Sequence, residues 1–342
     1  MKPSGFALYR YELPLTGSLR LAGAAIDVRT GLLVCFTNEE GLCGWGDCAP
    51  LPGFSRESLV EAECQLRGWL ENTMCWRHGF IDVGDLLPSV CFALETAMFN
   101  FKAASLGWPL ARVLDDSPGK DILVNRLLNE GDEIDCGSAP VIKVKVAKKS
   151  IAEEVSILSS LREKHGESVA LIADANRGWS VTEAESFWND AKGLNLLYIE
   201  EPVSDPRLLS DLEMPVALDE TLLERKPEEV CDWNSVVAYV IKPTLMGSLQ
   251  SIHDWSEQAR MLDLHVVVSA CYESGVGIWN LANLAAALPV SKHFAGLDTY
   301  NRLKVDILSG ALSLAKSPIP VDTPFAQNFE VNETQLELIA DG

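Results

Sequence analysis

Long apolar runs are missing from this 342-residue chain: none approaches the roughly 18 apolar residues of a membrane-spanning helix. The amino-terminal stretch MKPSGFALYRYELPL also lacks an apolar segment followed by a small-residue cleavage site, so no secretory signal is expected. Positive charge is scarce, with 28 Lys and Arg against 49 Asp and Glu and a net charge of -21 at pH 7. That balance opposes binding to nucleic acid or to an anionic membrane, where basic side chains must neutralise phosphate. An anionic small molecule would have to be caught by a local cationic feature. Nine cysteines are scattered along the chain without a CxxC pair, so neither a zinc ribbon nor a disulfide framework is indicated. No GxGxxG or Walker A motif supports a nucleotide-binding sheet. These absences together lead to the expectation of a cytoplasmic protein, with no preference for any oligomeric state.

What is present is enough for a large core, since 47% of the residues are hydrophobic and only 23% charged. The first part of the chain alternates short strands (ALYRYELPL, GLLVCFTNEEG, LCGWGD) with turn residues, which predicts an antiparallel meander. Two helical stretches follow, near Arg56–Thr73 and Ser89–Ala104, completing an α+β amino-terminal domain. After Trp108 the rhythm changes to apolar runs separated by helical segments: ILVNRLL, APVIKVKV, VALIADA, LNLLYIE, MPVALDE, VVAYVIK, LHVVVSA and FAGLD. Eight such runs predict an α/β barrel of parallel strands rather than an open sheet.

Barrel enzymes place their chemistry at the carboxyl ends of strands, and five of these runs end in charge. The residues are Lys143 and Lys145 in IKVKV, Asp174 in IADANRGW, Glu200 in YIEEP, Asp219 in ALDET and Lys242 in VIKPT. Asp174, Glu200, Asp219 and Lys242 follow one another at 26, 19 and 23 residues, one βα unit each. Three acids brought together repel unless a cation lies among them, and an all-oxygen set suits a hard ion such as Mg2+. Lys143 and Lys145, two apart, share one face of a strand whose other residues are apolar on both faces; buried lysines need a reason. A lysine becomes a base near neutrality only through desolvation or neighbouring positive charge, and Lys143 stands beside Lys145. Taken singly, each residue also has a plain reading. Asp174 and Asn176 could cap a helix, Glu200 and Glu201 could be a solvated pair, and Asp219-Glu220-Thr221 could open a helix.

The ordered set KxK, D, E, D, K resembles the muconate-lactonising-enzyme subgroup of the enolase superfamily. The runs GWGDCAPLPGFS at 44–55, KVKV, DANRGW, EEP, DET, IKPTLMGS and GLDT look, more narrowly, like the o-succinylbenzoate synthase family of menaquinone biosynthesis. The resemblance implies a (β/α)7β TIM-like barrel at 107–310, an α+β capping domain at 1–106, and a carboxy-terminal segment, 311–342, packed back on the capping domain. It implies Mg2+ held by Asp174, Glu200 and Asp219, with Lys145 as general acid/base, Lys143 assisting it, and Lys242 stabilising an enediolate from the opposite face. The implied reaction is a syn dehydration of a cyclohexadienyl carboxylate, a lyase chemistry. Substrate contacts are expected from Asn176, from Ser269, Glu273, Ser274 and Gly275 in SACYESGVG, and from a loop around Thr16–Ala24. Ala270 and Cys271 interrupt the family's serine-rich run there.

Rival readings stay open. N-succinylamino acid racemase and dipeptide epimerase activities use the same scaffold, although Asp298-Thr299-Tyr300 lacks the second acid of the epimerase DxD motif. A histidine base is disfavoured because His265 falls at the start of its strand. A Schiff-base aldolase using Lys145 or Lys242 would not need three acids. A non-catalytic anion-binding barrel would leave the acids and lysines without a role.

Overall fold

The computed structural model describes residues 1–21, 24–72, 75–79, 81–128, 139–288, 294–310, 312, 314 and 318–342. The chain opens with β1 (Gly5–Leu21), β2 (Ala24–Thr37) and β3 (Cys43–Cys48), followed by α1 (Leu59–Asn72), α2 (Pro88–Leu106) and α3 (Leu110–Leu114). Then come β4 (Asp121–Val124), β5 (Arg126–Leu128), β6 (Val141–Lys145), α4 (Ile151–His165), β7 (Ala170–Asp174), α5 (Val181–Ala191) and β8 (Leu196–Glu200). They continue through β9 (Val216–Leu218), α6 (Thr221–Glu224), β10 (Val236–Ile241), α7 (Pro243–Met246), α8 (Leu249–Met261), β11 (His265–Val268), α9 (Gly275–Ala287) and β12 (Phe294–Ala295). Short pieces end the chain: β13 (Leu308–Ser309), β14 (Ile319–Pro320), α10 (Phe325–Asn328), β15 (Glu330–Val331) and β16 (Glu337–Asp341). Among the described residues no helix is long and apolar enough to cross a membrane.

The amino-terminal sheet is antiparallel, in the order β16-β1-β2-β3, so the last strand of the chain pairs with the first. Residues Thr16–Leu21 of the expected loop belong instead to β1 and pair with β2, with Leu19 opposite Ile26; residues 22–23 lie outside the described residues. Helix α2 begins at Pro88, where a missing N–H costs nothing, and stops at Gly107, whose φ of 65° an ordinary side chain resists. It lies directly on β3 because that strand carries glycines: a Cβ on Gly44 would stand 2.1 Å from the Phe101 nitrogen, and one on Gly46 1.9 Å from the Ala93 oxygen. The GWGD motif is therefore a helix-docking surface that ends in Asp47.

In the second domain β5 to β11 form a parallel sheet in sequence order. Strand β12 pairs in parallel with β4, and Gly296 bridges to Ser269 just beyond β11, its N–H donating to the Val268 oxygen at 2.8 Å. The run ILVNRLL thus forms two short strands, β4 and β5, interrupted at Asn125, and the ring of eight closes through them, as the sequence pattern predicts. Alternation along each strand builds two cores. Ile142, Val144, Leu171, Ala173 and Ile199 pack outward toward the helices, while Val141, Ile172, Tyr198, Ala217, Val240, Val267 and Phe294 fill the barrel interior. The helices start where capping predicts, α4 on the Ser150–Glu153 capping box and α5 on Ser180–Glu183.

Candidate active site

Period-two alternation carries the inner row of the barrel straight into the site. Two residues beyond Val141, Ile172, Tyr198, Ala217, Val240 and Val267 stand Lys143, Asp174, Glu200, Asp219, Lys242 and Ser269, and Lys145 is one step further along β6. Ladder register keeps them level: Lys145 lies opposite Asp174, and Asp174 opposite Glu200. A cavity of about 560 Å³ opens above them, lined by Lys143, Lys145, Lys148, Asp174, Asn176, Asp219 and Lys242 on one side. Leu19, Leu51, Phe54, Leu245, Tyr272 and Ser269 are among the residues that complete the wall.

The three acids are among the most buried groups of the chain, with exposures of 0% for Asp174, 1% for Glu200 and 2% for Asp219. Each is turned onto an ammonium group. Lys143 Nζ donates to Glu200 at 2.6 and 2.8 Å and lies 2.8 Å from Asp174 Oδ2. Lys145 Nζ donates to Asp174 Oδ2 at 2.6 Å and to Asn176 Oδ1 at 2.7 Å, and Lys242 Nζ is bonded to Asp219 Oδ2. Burial pushes Asp174 upward, but Lys143 and Lys145 outweigh it and hold the carboxyl far below its ordinary range. Burial, then the charge of Asp174, drive Glu200 well above the carboxylate range despite Lys143. Both lysines bond Asp174, whereas only Lys143 bonds Glu200. Burial opposes charge on Lys143, yet Asp174, Glu200 and Asp219 keep that ammonium well above the usual lysine value. Lys242 is likewise raised, Asp219 and Glu220 outweighing burial.

As the acids stand, paired to lysines, no three His, Cys, Asp or Glu among the described residues converge on one point. Their chemistry nevertheless fits a cation: three buried oxygen donors stand on adjacent strand ends, and repulsion from Asp174 and Asp219 adds to burial in driving Glu200 upward. A divalent hard ion would relieve that repulsion and leave coordination positions for a ligand.

Two plain readings are corrected by the geometry. Glu201 is no solvated neighbour of Glu200: it is fully buried and accepts from the Asp219 N–H at 2.9 Å, the Thr221 N–H at 2.8 Å and Arg177 Nε at 3.0 Å. It fixes the turn from which Asp219 projects. Asp174 and Asn176 cap no helix, since α5 starts on Ser180.

The expected substrate contacts divide. Ser269 and Asn176 line the cavity; Ser274 and Gly275 do not. The Ser274 hydroxyl donates to Asp47 Oδ2 at 2.7 Å, and the Gly275 N–H donates to Asp306 at 2.9 Å. Glu273 accepts from the Thr244 hydroxyl at 2.6 Å and is fully buried. That half of SACYESGVG joins the barrel to β3 of the first domain, whereas Ser269, Ala270, Cys271 and Tyr272 face the cavity. His265 begins β11, at the end of the strand away from the cavity.

Sequence reading missed one organiser. Arg29, 1% exposed on β2, donates to the Tyr272 oxygen at 3.1 Å and the Pro50 oxygen at 2.9 Å, and is bonded to the Ala49 oxygen as well. It ties the loop bearing Leu51 and Phe54 to the barrel segment bearing Cys271 and Tyr272. A lone arginine in a strand has no spacing signal that would reveal this.

Residues 4–101 match the model of the MenC, N-terminal domain, and residues 128–323 match the Enolase C-terminal domain-like family. An o-succinylbenzoate synthase of Escherichia fergusonii is 32% identical over 322 residues, covering 87% of this chain and 91% of that protein. One from Yersinia pestis (strain Pestoides F) is 32% identical over 327 residues, covering 92% of this chain and 95% of the relative. Among solved structures, a dipeptide epimerase from Enterococcus faecalis V583, in complex with Mg and a dipeptide, aligns with a TM-score of 0.82 at 19% identity, covering 96% of this chain and 100% of that one. An N-succinyl Arg/Lys racemase from Bacillus cereus gives 0.80 at 18% identity, covering 100% and 99%; at such identities the likeness speaks for the fold. The chain belongs to the o-succinylbenzoate synthase family of the enolase superfamily and is an enzyme of the lyase class.

Proposed function

We propose that this protein catalyses the Mg2+-dependent syn dehydration of 2-succinyl-6-hydroxy-2,4-cyclohexadiene-1-carboxylate to 2-succinylbenzoate, a step of menaquinone biosynthesis, in the cytoplasm. The observation that carries the reading is the level row of Lys143, Lys145, Asp174, Glu200, Asp219 and Lys242, all but Glu200 lining one cavity, in a chain whose curated relatives bear the synthase name. Asp174, Glu200 and Asp219 would hold the magnesium ion, which supplies electrostatic stabilisation of negative charge developing on the substrate carboxylate. Lys145 removes the α-proton and returns it to the hydroxyl that leaves as water, so one group serves both transfers on one face. Lys143, kept as an ammonium by three acids, is the positive neighbour that assists it. Lys242 contributes positive charge from the end of β10, four strands round the barrel from β6, with Phe54 5.9 Å from its nitrogen helping to exclude water.

Racemisation of an N-succinylamino acid is the second reading, favoured by one feature: lysines at the two ends of the charged wall, Lys145 on β6 and Lys242 after β10, face one cavity. The deciding assay mixes purified protein with the cyclohexadienyl substrate and follows aromatisation by ultraviolet absorbance, with Mg2+ or with EDTA. The proposed function predicts rapid aromatisation in Mg2+ and loss of it in EDTA. Aromatisation that persists in EDTA, or none in Mg2+, would overturn it.

A further inference from the structure

Four lysines line the cavity, and three of them are committed to acids: Lys143 to Glu200 and Asp174, Lys145 to Asp174, and Lys242 to Asp219. The fourth, Lys148, has no side-chain partner among the described residues. Its backbone, by contrast, is firmly built. Ala147 turns the chain at φ 60°, and the N–H groups of Lys148 and Lys149 both donate to Glu154 Oε1, at 2.7 and 2.9 Å. Glu154 is 2% exposed, and the next residue, Ser150, closes the capping box of α4. A buried carboxylate thus pins the loop from below and presents one uncommitted ammonium at the cavity wall, in a protein whose net charge of -21 would otherwise repel a dianion.

We propose that Lys148 is a specificity-determining residue that binds the second carboxylate of a dicarboxylate substrate, the one remote from the acid trio. The inference rests on the proposed function for the identity of that substrate, but its chemistry requires only a terminal carboxylate on a flexible arm. Arg302 is the rival cation. It lies near Tyr272 and 3.7 Å from where a Cβ on Gly17 would be, outside the cavity lining, so the geometry favours Lys148.

The test compares two ligands that share a ring carboxylate and a ketone: 2-succinylbenzoate, and 2-butanoylbenzoate, in which a methyl replaces the terminal carboxylate. Calorimetric affinities are measured for the Mg2+-loaded wild type, Lys148→Ala, Lys148→Glu and Arg302→Ala, each with its melting temperature. Lys148→Ala should weaken the dicarboxylate about fivefold, and Lys148→Glu about twentyfold, as expected for a rim charge meeting a carboxylate. Binding of the monocarboxylate should change less than twofold, and added salt should shrink the difference between the ligands. Equal weakening of both ligands, or a dicarboxylate-selective loss in Arg302→Ala and not in the Lys148 variants, overturns the inference. An N-succinylamino acid titrated in parallel separates the two claims. If wild type fails to aromatise the cyclohexadienyl substrate yet binds the N-succinylamino acid with the same Lys148 dependence, the proposed function falls and the inference holds. Aromatisation without any Lys148 selectivity sinks the inference alone.

Discussion

The two walls of the cavity are built on different principles. On the wall from β6 to β10, charged groups continue the inner face of a parallel sheet, and the ladder register sets their heights. On the opposite wall, Leu19 comes from a hairpin, Leu51 and Phe54 from a loop after β3, and Ser269 to Tyr272 from the turn after β11. Three separate segments, two of them in the other domain, must be brought together there by Arg29 and by the Asp47–Ser274 contact. The difference teaches where chemistry and selectivity can vary: the first wall cannot move without breaking the barrel, whereas the second can change by altering loops.

The largest expected effect breaks the first wall. Asp219→Asn removes one charge of the acid trio while keeping its shape, and the backbone N–H of that residue still bonds Glu201. On the proposed reading, turnover is abolished and Mg2+ affinity drops by at least about tenfold, the lower bound for losing even an outer-sphere partner of a metal. Equilibrium dialysis against Mg2+, with circular dichroism to check folding, measures this; unchanged affinity would separate Asp219 from the metal. A smaller effect loosens the second wall. Arg29→Met leaves several buried carbonyls without a donor, at a stability cost of about 3 kcal/mol in denaturant titration. KM should rise more than kcat falls, because the catalytic wall does not touch Arg29; an equal fall in kcat alone would contradict the division. The smallest effect is local. Ser269→Ala removes one hydroxyl from the cavity and should raise KM about two- to tenfold, the worth of one hydrogen bond, with a steady melting temperature.

The same contrast explains what was legible in the sequence. Period-two apolar runs ending in charge disclose the strands, their order and the inward face, so Lys143, Lys145, Asp174, Glu200, Asp219 and Lys242 could be found by counting. The interruption at Asn125 does not obscure the first barrel run, because its apolar residues continue on both sides. The second wall depends on tertiary contacts that leave no local period. Nothing adjacent to Arg29 announces that it will bond Tyr272, 243 residues away. Ser274 and Gly275 looked like substrate contacts because polar and small residues beside a catalytic strand often are, yet their donors are taken by Asp47 and Asp306. Glu201 looked solvated beside Glu200, since two adjacent acids in sequence do not reveal that the chain turns between them, with Glu201 at φ 40°.

The central claim is that the charged wall performs a one-base, one-face elimination, with Lys145 moving the proton and Lys242 supplying only charge. Exchange of the substrate α-proton with deuterated solvent, followed by proton NMR in Lys145→Ala and Lys242→Arg, addresses it directly. The account predicts that Lys145→Ala stops exchange altogether, while Lys242→Arg, which keeps a cation of different shape, slows the reaction and retains exchange. Exchange persisting unchanged in Lys145→Ala, or each variant losing exchange with only one substrate enantiomer, would contradict it.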